Sequence, residues 1–278
     1  AHGTRAIRTH IDSIPPQDDI SWPVFKEMRA RWRGRIDLQA ACLVGCDAVG
    51  PEMPFEHTAD LVAEAGGVLG MVAYPVPDIE ERVRYFFQLA SDRGLQADFH
   101  VDETLDPTSE TLRVIAKAVL ALRFDAPVTV GHLCSLSAQD TARAADTMDL
   151  VARAGLNVVS LPMCNLYLQD RQNGTPRMRG ITLVHELKAR GVNLSFASDN
   201  TRDPFYAYGD LDMIEVMREA TRIGHLDHSA ADWSEAFVTN PARACGFDLP
   251  GLDVGMPAEL VSCRARNWTE LFARPQAD

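Results

Sequence analysis

Short apolar runs rich in β-branched residues recur along the chain. Each arrives at a polar or small residue and then gives way to a helical stretch. The runs are AIRTHID (6–12), IDLQAACLVG (36–45), VLGMVAYP (68–75), QADFHVDE (96–103), PVTVGHLCS (127–135), NVVSLPM (157–163) and NLSFASDN (193–200). Their starts lie 30, 32, 28, 31, 30 and 36 residues apart. Near-continuous apolar strands suit a parallel sheet covered on both faces. Intervening amphipathic stretches such as IEERVRYFFQLASDRG (79–94) make each unit a βα pair. A glycine precedes several strands, at Gly34, Gly67, Gly94, Gly155 and Gly191, as expected of helix C-terminal caps.

This period predicts an α/β fold, a (β/α)8 TIM-type barrel. No G-x-G-x-x-G follows the first run to favour an open dinucleotide-binding sheet. A closed barrel needs eight strands and the pattern supplies seven, so the expectation is that the first barrel strand lies outside this sequence. GMPAELVSCRARN (255–267) is expected as one more strand. The chain therefore divides into a barrel over 1–254 and the start of an accessory β segment with a tail over 255–278.

Composition changes this picture only by exclusion. The 278 residues are 46% hydrophobic and 24% charged, which suits a globular protein with a sizeable core. No apolar run approaches the roughly 20 residues of a membrane span. A formal charge of −12 argues against nucleic acid and anionic membranes as partners. Six cysteines with no C-x-x-C spacing read as reduced thiols, and no secretory signal opens the sequence, so a cytoplasmic protein is expected.

Barrels of this type carry their chemistry at the C-terminal ends of strands. The runs end on Thr9, His10 and Asp12; on Gly45, Cys46 and Asp47; on His100, Asp102 and Glu103; on His132; on Asn165; and on Ser198, Asp199 and Asn200. Imidazole with carboxylate suits a divalent cation such as zinc, iron or manganese. Positions i and i+3 of a strand face opposite sides, so His100 and Glu103 share a site only if the chain turns after His100. Each residue also has a plainer reading. His10 and Asp12 read as a structural pair, Cys46 as a packing thiol or a pocket residue, Asp203-Pro204 as a turn, and Phe205 equally as pocket wall or core.

THID (9–12), HVDE (100–103), GHLCS (131–135), PMCNLYLQDR (162–171) and SDNTRDPFYAYG (198–209) resemble, in order and spacing, the cytosine deaminase branch of the amidohydrolase superfamily. The resemblance implies a hydrolase that uses one divalent metal ion, zinc or iron, to activate water against an amidine-like ring carbon, releasing ammonia. It implies metal binding by His100 and Asp199, and catalytic roles for Glu103 as proton shuttle, for His132 beside the attacked carbon and for Asp199. Asn200, Cys46 and Phe205 become substrate-binding candidates.

Two departures matter. The H-x-H that supplies two ligands in that family has no counterpart here. Where cytosine deaminases carry a ring-reading glutamine stand Gly45 and Cys46, and Asn200 stands for an aspartate. The expected partner is thus a small heterocyclic substrate other than cytosine, in a monomer or a homo-oligomer. Cleavage of a cyclic amide or an N-alkylamine, or a catalytically silent or truncated barrel, are the alternatives.

Overall fold

The structure is a computed structural model that describes residues 2–248, 251 and 253–273. Seven parallel strands form where the apolar runs place them: β1 (Ala6–Asp12), β2 (Asp37–Leu43), β3 (Leu69–Ala73), β4 (Ala97–Val101), β5 (Val128–His132), β6 (Asn157–Ser160) and β7 (Asn193–Phe196). Helices α1 (Asp18–Trp32), α2 (Phe55–Glu64), α3 (Ile79–Asp92), α4 (Thr111–Leu122) and α5 (Thr141–Arg153) cross between the first six strands. Two short helices, α6 (Pro162–Leu168) and α7 (Val184–Ala189), lie between β6 and β7. After β7 come α8 (Met213–Gly224), α9 (Thr239–Cys245) and α10 (Trp268–Ala273). The strands are ordered β1-β2 and β3-β4-β5-β6-β7, the two sets joined by bridges Ala41–Val68 and Gly45–Val72. Among the described residues β1 and β7 are the free edges of this seven-stranded barrel wall.

Alternation along β4 shows how the layers form. Ala97, Phe99 and Val101 are buried on the outer face, where Phe99 packs against Phe86 and Phe87 of α3 with ring centroids 4.6 and 5.6 Å away. Val83, Phe86, Phe87 and Ala90 make the buried stripe of that helix, spaced by three and four residues. Asp98 and His100 point the other way, into the barrel. Facing them from β1, the Arg8 guanidinium reaches Asp98 Oδ2 at 3.0 Å and Thr129 Oγ1 at 3.1 Å, and also bonds Gln96 and Gln39. A side chain on β1 can touch β4 and β5 only if the sheet curls on itself. The Gln39 amide bonds the Cys245 carbonyl, so α9 closes the end of the barrel opposite the strand C-termini.

Two expectations need correction. Gly66, not Gly67, takes the left-handed conformation after α2; Gly67 is needed because a Cβ there would lie 2.7 Å from the Trp22 ring. The stretch 255–267 forms no strand among the described residues. It runs irregularly, with one bridge residue at Cys263, into α10, and most of its side chains are exposed. With nothing apolar to cover, its alternation has no face to bury. Residues 274–278 of the expected tail lie outside the described residues.

Candidate active site

The wall delivers His100 to the mouth by simple alternation, but the residues after it need backbone that periodicity does not reveal. Asp102 sits at φ 51°, the left-handed region that few residues other than glycine enter. This turn separates its neighbours. Asp102 itself faces outward and caps α4: its carboxylate accepts from Ser109 Oγ at 2.7 Å and from the amides of Thr111 and Leu112 at 3.0 and 2.9 Å. Glu103 swings back over the mouth, where its side chain is 32% exposed.

His132 arrives by a similar device. It pairs in register with Val101, whose side chain packs outside, so alternation alone would leave His132 on the outer face. Left-handed conformations at His132 (φ 76°) and Leu133 (φ 52°) turn the ring inward. There its Nε2 lies 3.1 Å from His100 Nδ1. The Asn165 amide nitrogen bridges the cluster, donating to Glu103 Oε1 at 3.2 Å and to His132 Nδ1 at 3.1 Å. An accepting Nδ1 puts the His132 proton on Nε2, where it serves His100. Non-glycine residues held left-handed cost of order 1 kcal/mol or more each. Three of them, Asp102, His132 and Asp199 (φ 61°), stand at the ends of β4, β5 and the β7 run.

The electrostatics follow from burial. His132 is held well below the usual imidazole range by burial and by the adjacent His100 and His10. Burial and His10 likewise bring His100 down to about 4. Both rings are therefore neutral, and the 3.2 Å approach of His132 Nδ1 to Glu103 Oε1 is no ion pair. Burial, then the charge of Asp199, pushes Glu103 up to about 7. Burial also raises Asp199, whose Oδ2 is buried without a hydrogen-bond partner among the described residues. Asp98 behaves oppositely: burial works against its charge, but His10 and Arg8 outweigh it and keep the carboxylate ionised.

The structure thus brings together His100, Glu103 and His132 of the expected site, with the charge of Asp199 acting on Glu103. His10, expected as structural, joins them: its Nε2 bonds Asp98 Oδ1 at 3.0 Å and its ring meets His100 at 4.5 Å. Ligand atoms of His10, Asp98 and His100, and of His100, Glu103 and His132, converge within 4.8 Å, with His100 common to both groups. Asp12 is exposed at the rim.

The three substrate-binding candidates fare differently. Asn200 spends its amide on Asp203 Oδ2 at 2.6 Å, and Asp203 Oδ1 caps the turn at Phe205 and Tyr206. Phe205 is 62% exposed, so it is not core. Cys46 is fully buried with its thiol on the Tyr74 carbonyl, so it packs beneath the rim and does not line the mouth. Asn165, expected at the rim, bridges the cluster, and Asp98, which ends no run, joins it from within β4. The available signal for Asp98 was a cation, Arg8, two residues before His10 on another strand, mirroring the anion two residues before His100.

Comparison with known proteins agrees with this geometry. A pterin deaminase from Rhizobium rhizogenes is 51% identical over 280 residues, covering 100% of this chain and 64% of the relative. A 5-methylthioadenosine/S-adenosylhomocysteine deaminase from Halobacterium salinarum is 26% identical over 190 residues, covering 66% of this chain and 40% of the relative. The chain thus spans less than two thirds of the length of these relatives. The crystal structure of 5-methylcytosine deaminase from Klebsiella pneumoniae, liganded with phosphonocytosine, superposes with a TM-score of 0.83 at 28% identity, over 98% of this chain and 68% of that one. The sequence profile of the Amidohydrolase family matches residues 54–278, from α2 through every strand beyond it, and the chain belongs to that family.

Proposed function

We propose that the protein is a metal-dependent hydrolytic deaminase acting on the exocyclic amine of a pterin-like heterocycle. The observation that carries the reading is Glu103, a carboxyl poised near neutral pH beside neutral His132 and the unpartnered Asp199 oxygen. A proton carrier works best with a pKa close to the working pH. The 51% identity to a pterin deaminase supports the bicyclic ring over cytosine, as do Gly45 and Asn200 where cytosine deaminases carry other groups.

The donors suit a borderline cation such as zinc or iron: the neutral imidazole of His100 and the orphaned Asp199 oxygen, with His10 alongside. Such a cation lowers the pKa of a water toward 7 and polarises the oxygen that attacks. Asp199 takes the proton the attacking water sheds. Glu103, protonated at the outset, delivers its proton to the ring nitrogen beside the attacked carbon. His132, kept neutral by burial, directs its Nε2 proton at His100 Nδ1 and so fixes the orientation of that ring. The proton collected by Asp199 goes to the departing amine, the C–N bond breaks and ammonia leaves, while the remaining hydroxyl proton passes to Glu103, leaving a ring carbonyl and restoring the carboxyl.

Unpaired thiols at all six cysteines accord with a reducing, cytoplasmic setting. The test is ammonia release by the metal-replete protein from 2-aminopteridin-4-one, cytosine and an N-alkylaminotriazine. We expect ammonia from the pteridine. Alkylamine release alone, or turnover of cytosine in preference, would overturn the assignment.

A further inference from the structure

Gly45 marks a gap in the wall that other side chains fill. It bridges to Val72, and Val72 pairs with His100, so all three face the barrel interior at one level. A Cβ on Gly45 would collide with Asp47 Oδ1 and lie 3.1 Å from Tyr74 Oη. These two groups therefore occupy the space over the mouth that a side chain at 45 would take. They are bonded to each other, Tyr74 Oη donating to Asp47 Oδ1 at 2.7 Å. Among the described residues no group bonds Asp47 Oδ2. The turn carrying Asp47 is itself held, because Arg82 Nη1 donates to the carbonyls of Cys46, Asp47 and Val49 at 2.9, 2.9 and 3.1 Å.

We propose that Asp47 and Tyr74 form the edge that reads the substrate ring, Asp47 Oδ2 accepting from a ring N–H. This rests on the deaminase reading above and names the residues that set its specificity. The tyrosine holds the carboxylate's orientation, and Gly45 leaves room for both.

The test is steady-state kinetics of the metal-replete protein with 2-aminopteridin-4-one and its ring N-methyl analogue. Wild type should favour the N–H ring by roughly 30-fold in kcat/KM or more, since a site built around a hydrogen bond rejects an analogue lacking it. Asp47→Asn should raise KM at least roughly tenfold with kcat within about threefold, and should lose the discrimination. Tyr74→Phe should move both quantities in the same direction by less. Variants that keep the wild-type KM and discrimination overturn the proposal while the deaminase reading stands. A wild type that releases no ammonia from any ring overturns that reading, and this inference falls with it.

Discussion

Glu103 and Asp102 are neighbours in sequence yet serve opposite sides of the barrel wall. Glu103 Oε1 stands 3.2 Å from His132 Nδ1 over the mouth, while Asp102 is buried behind β4 and holds the amides at the start of α4. The left-handed turn at Asp102 makes this division, so changes at the two positions should separate chemistry from stability. Glu103→Gln keeps the size and the acceptor for Asn165 but carries no proton to transfer. It should lower kcat by roughly 10³-fold with metal content unchanged. Ammonia release at saturating substrate, with elemental analysis of the same sample, checks this; activity within tenfold of wild type would remove Glu103 from the mechanism.

Asp102→Asn should do the reverse. Asn tolerates the left-handed conformation, so the turn survives. The loss is the charge that three donors share, worth about 1–2 kcal/mol at a helix cap. The variant should unfold at lower denaturant concentration while kcat stays within threefold. A kcat as low as that of the Glu103 variant would place Asp102 in the site and contradict its outward orientation.

The strands were legible because each outer face is apolar and each run ends in polar residues. Placement of His100 followed from the same alternation, in which Ala97, Phe99 and Val101 pack outward and Asp98 and His100 inward. His132 obeyed a different rule. Period-2 counting puts it outside with Val101, and its φ of 76° brings it inside. Backbone left-handedness at a non-glycine residue leaves no compositional trace, so the pattern marked His132 as a strand-end residue without showing how its ring turns inward. The H-V-D-E stretch suggested three chemical groups, and the structure gives two to the mouth and one to a helix cap. Cys46 allowed two readings because it ends an apolar run; a rim residue and a thiol packed just beneath the rim look alike in one dimension. Asp98 went unnoticed because its partner Arg8 lies 90 residues away.

Stability against pH should carry the signature of Glu103 in metal-free protein. Its folded pKa of about 7 stands above the unfolded value near 4.5. The folded state therefore binds the proton more tightly, and the stability this contributes is full below pH 4.5 and lost as pH rises to 7. That difference would amount to about 3 kcal/mol, which the part-exposed side chain reduces to about 1–2 kcal/mol. In chelated protein Glu103→Gln should match wild type at pH 4.5 and exceed its stability at pH 8. Urea midpoints at both pH values decide it; an equal difference between the two proteins at both would mean the carboxyl titrates normally.

Arg8 supports the mouth from below. Its side chain is 6% exposed and its guanidinium bonds Asp98 Oδ2, while His10 bonds Asp98 Oδ1. Asp98 is thus a buried anion shared between a permanent cation beneath the site and an imidazole within it. Arg8→Met keeps much of the volume but leaves Asp98 with His10 alone. Removing one partner of a buried pair costs about 3–5 kcal/mol, because the remaining charge is uncompensated. Arg8→Met/Asp98→Asn should recover part of the stability, since the stranded charge is gone. A double variant no more stable than Arg8→Met would show that Arg8 acts through its bonds to Gln39, Gln96 and Thr129 and not through Asp98.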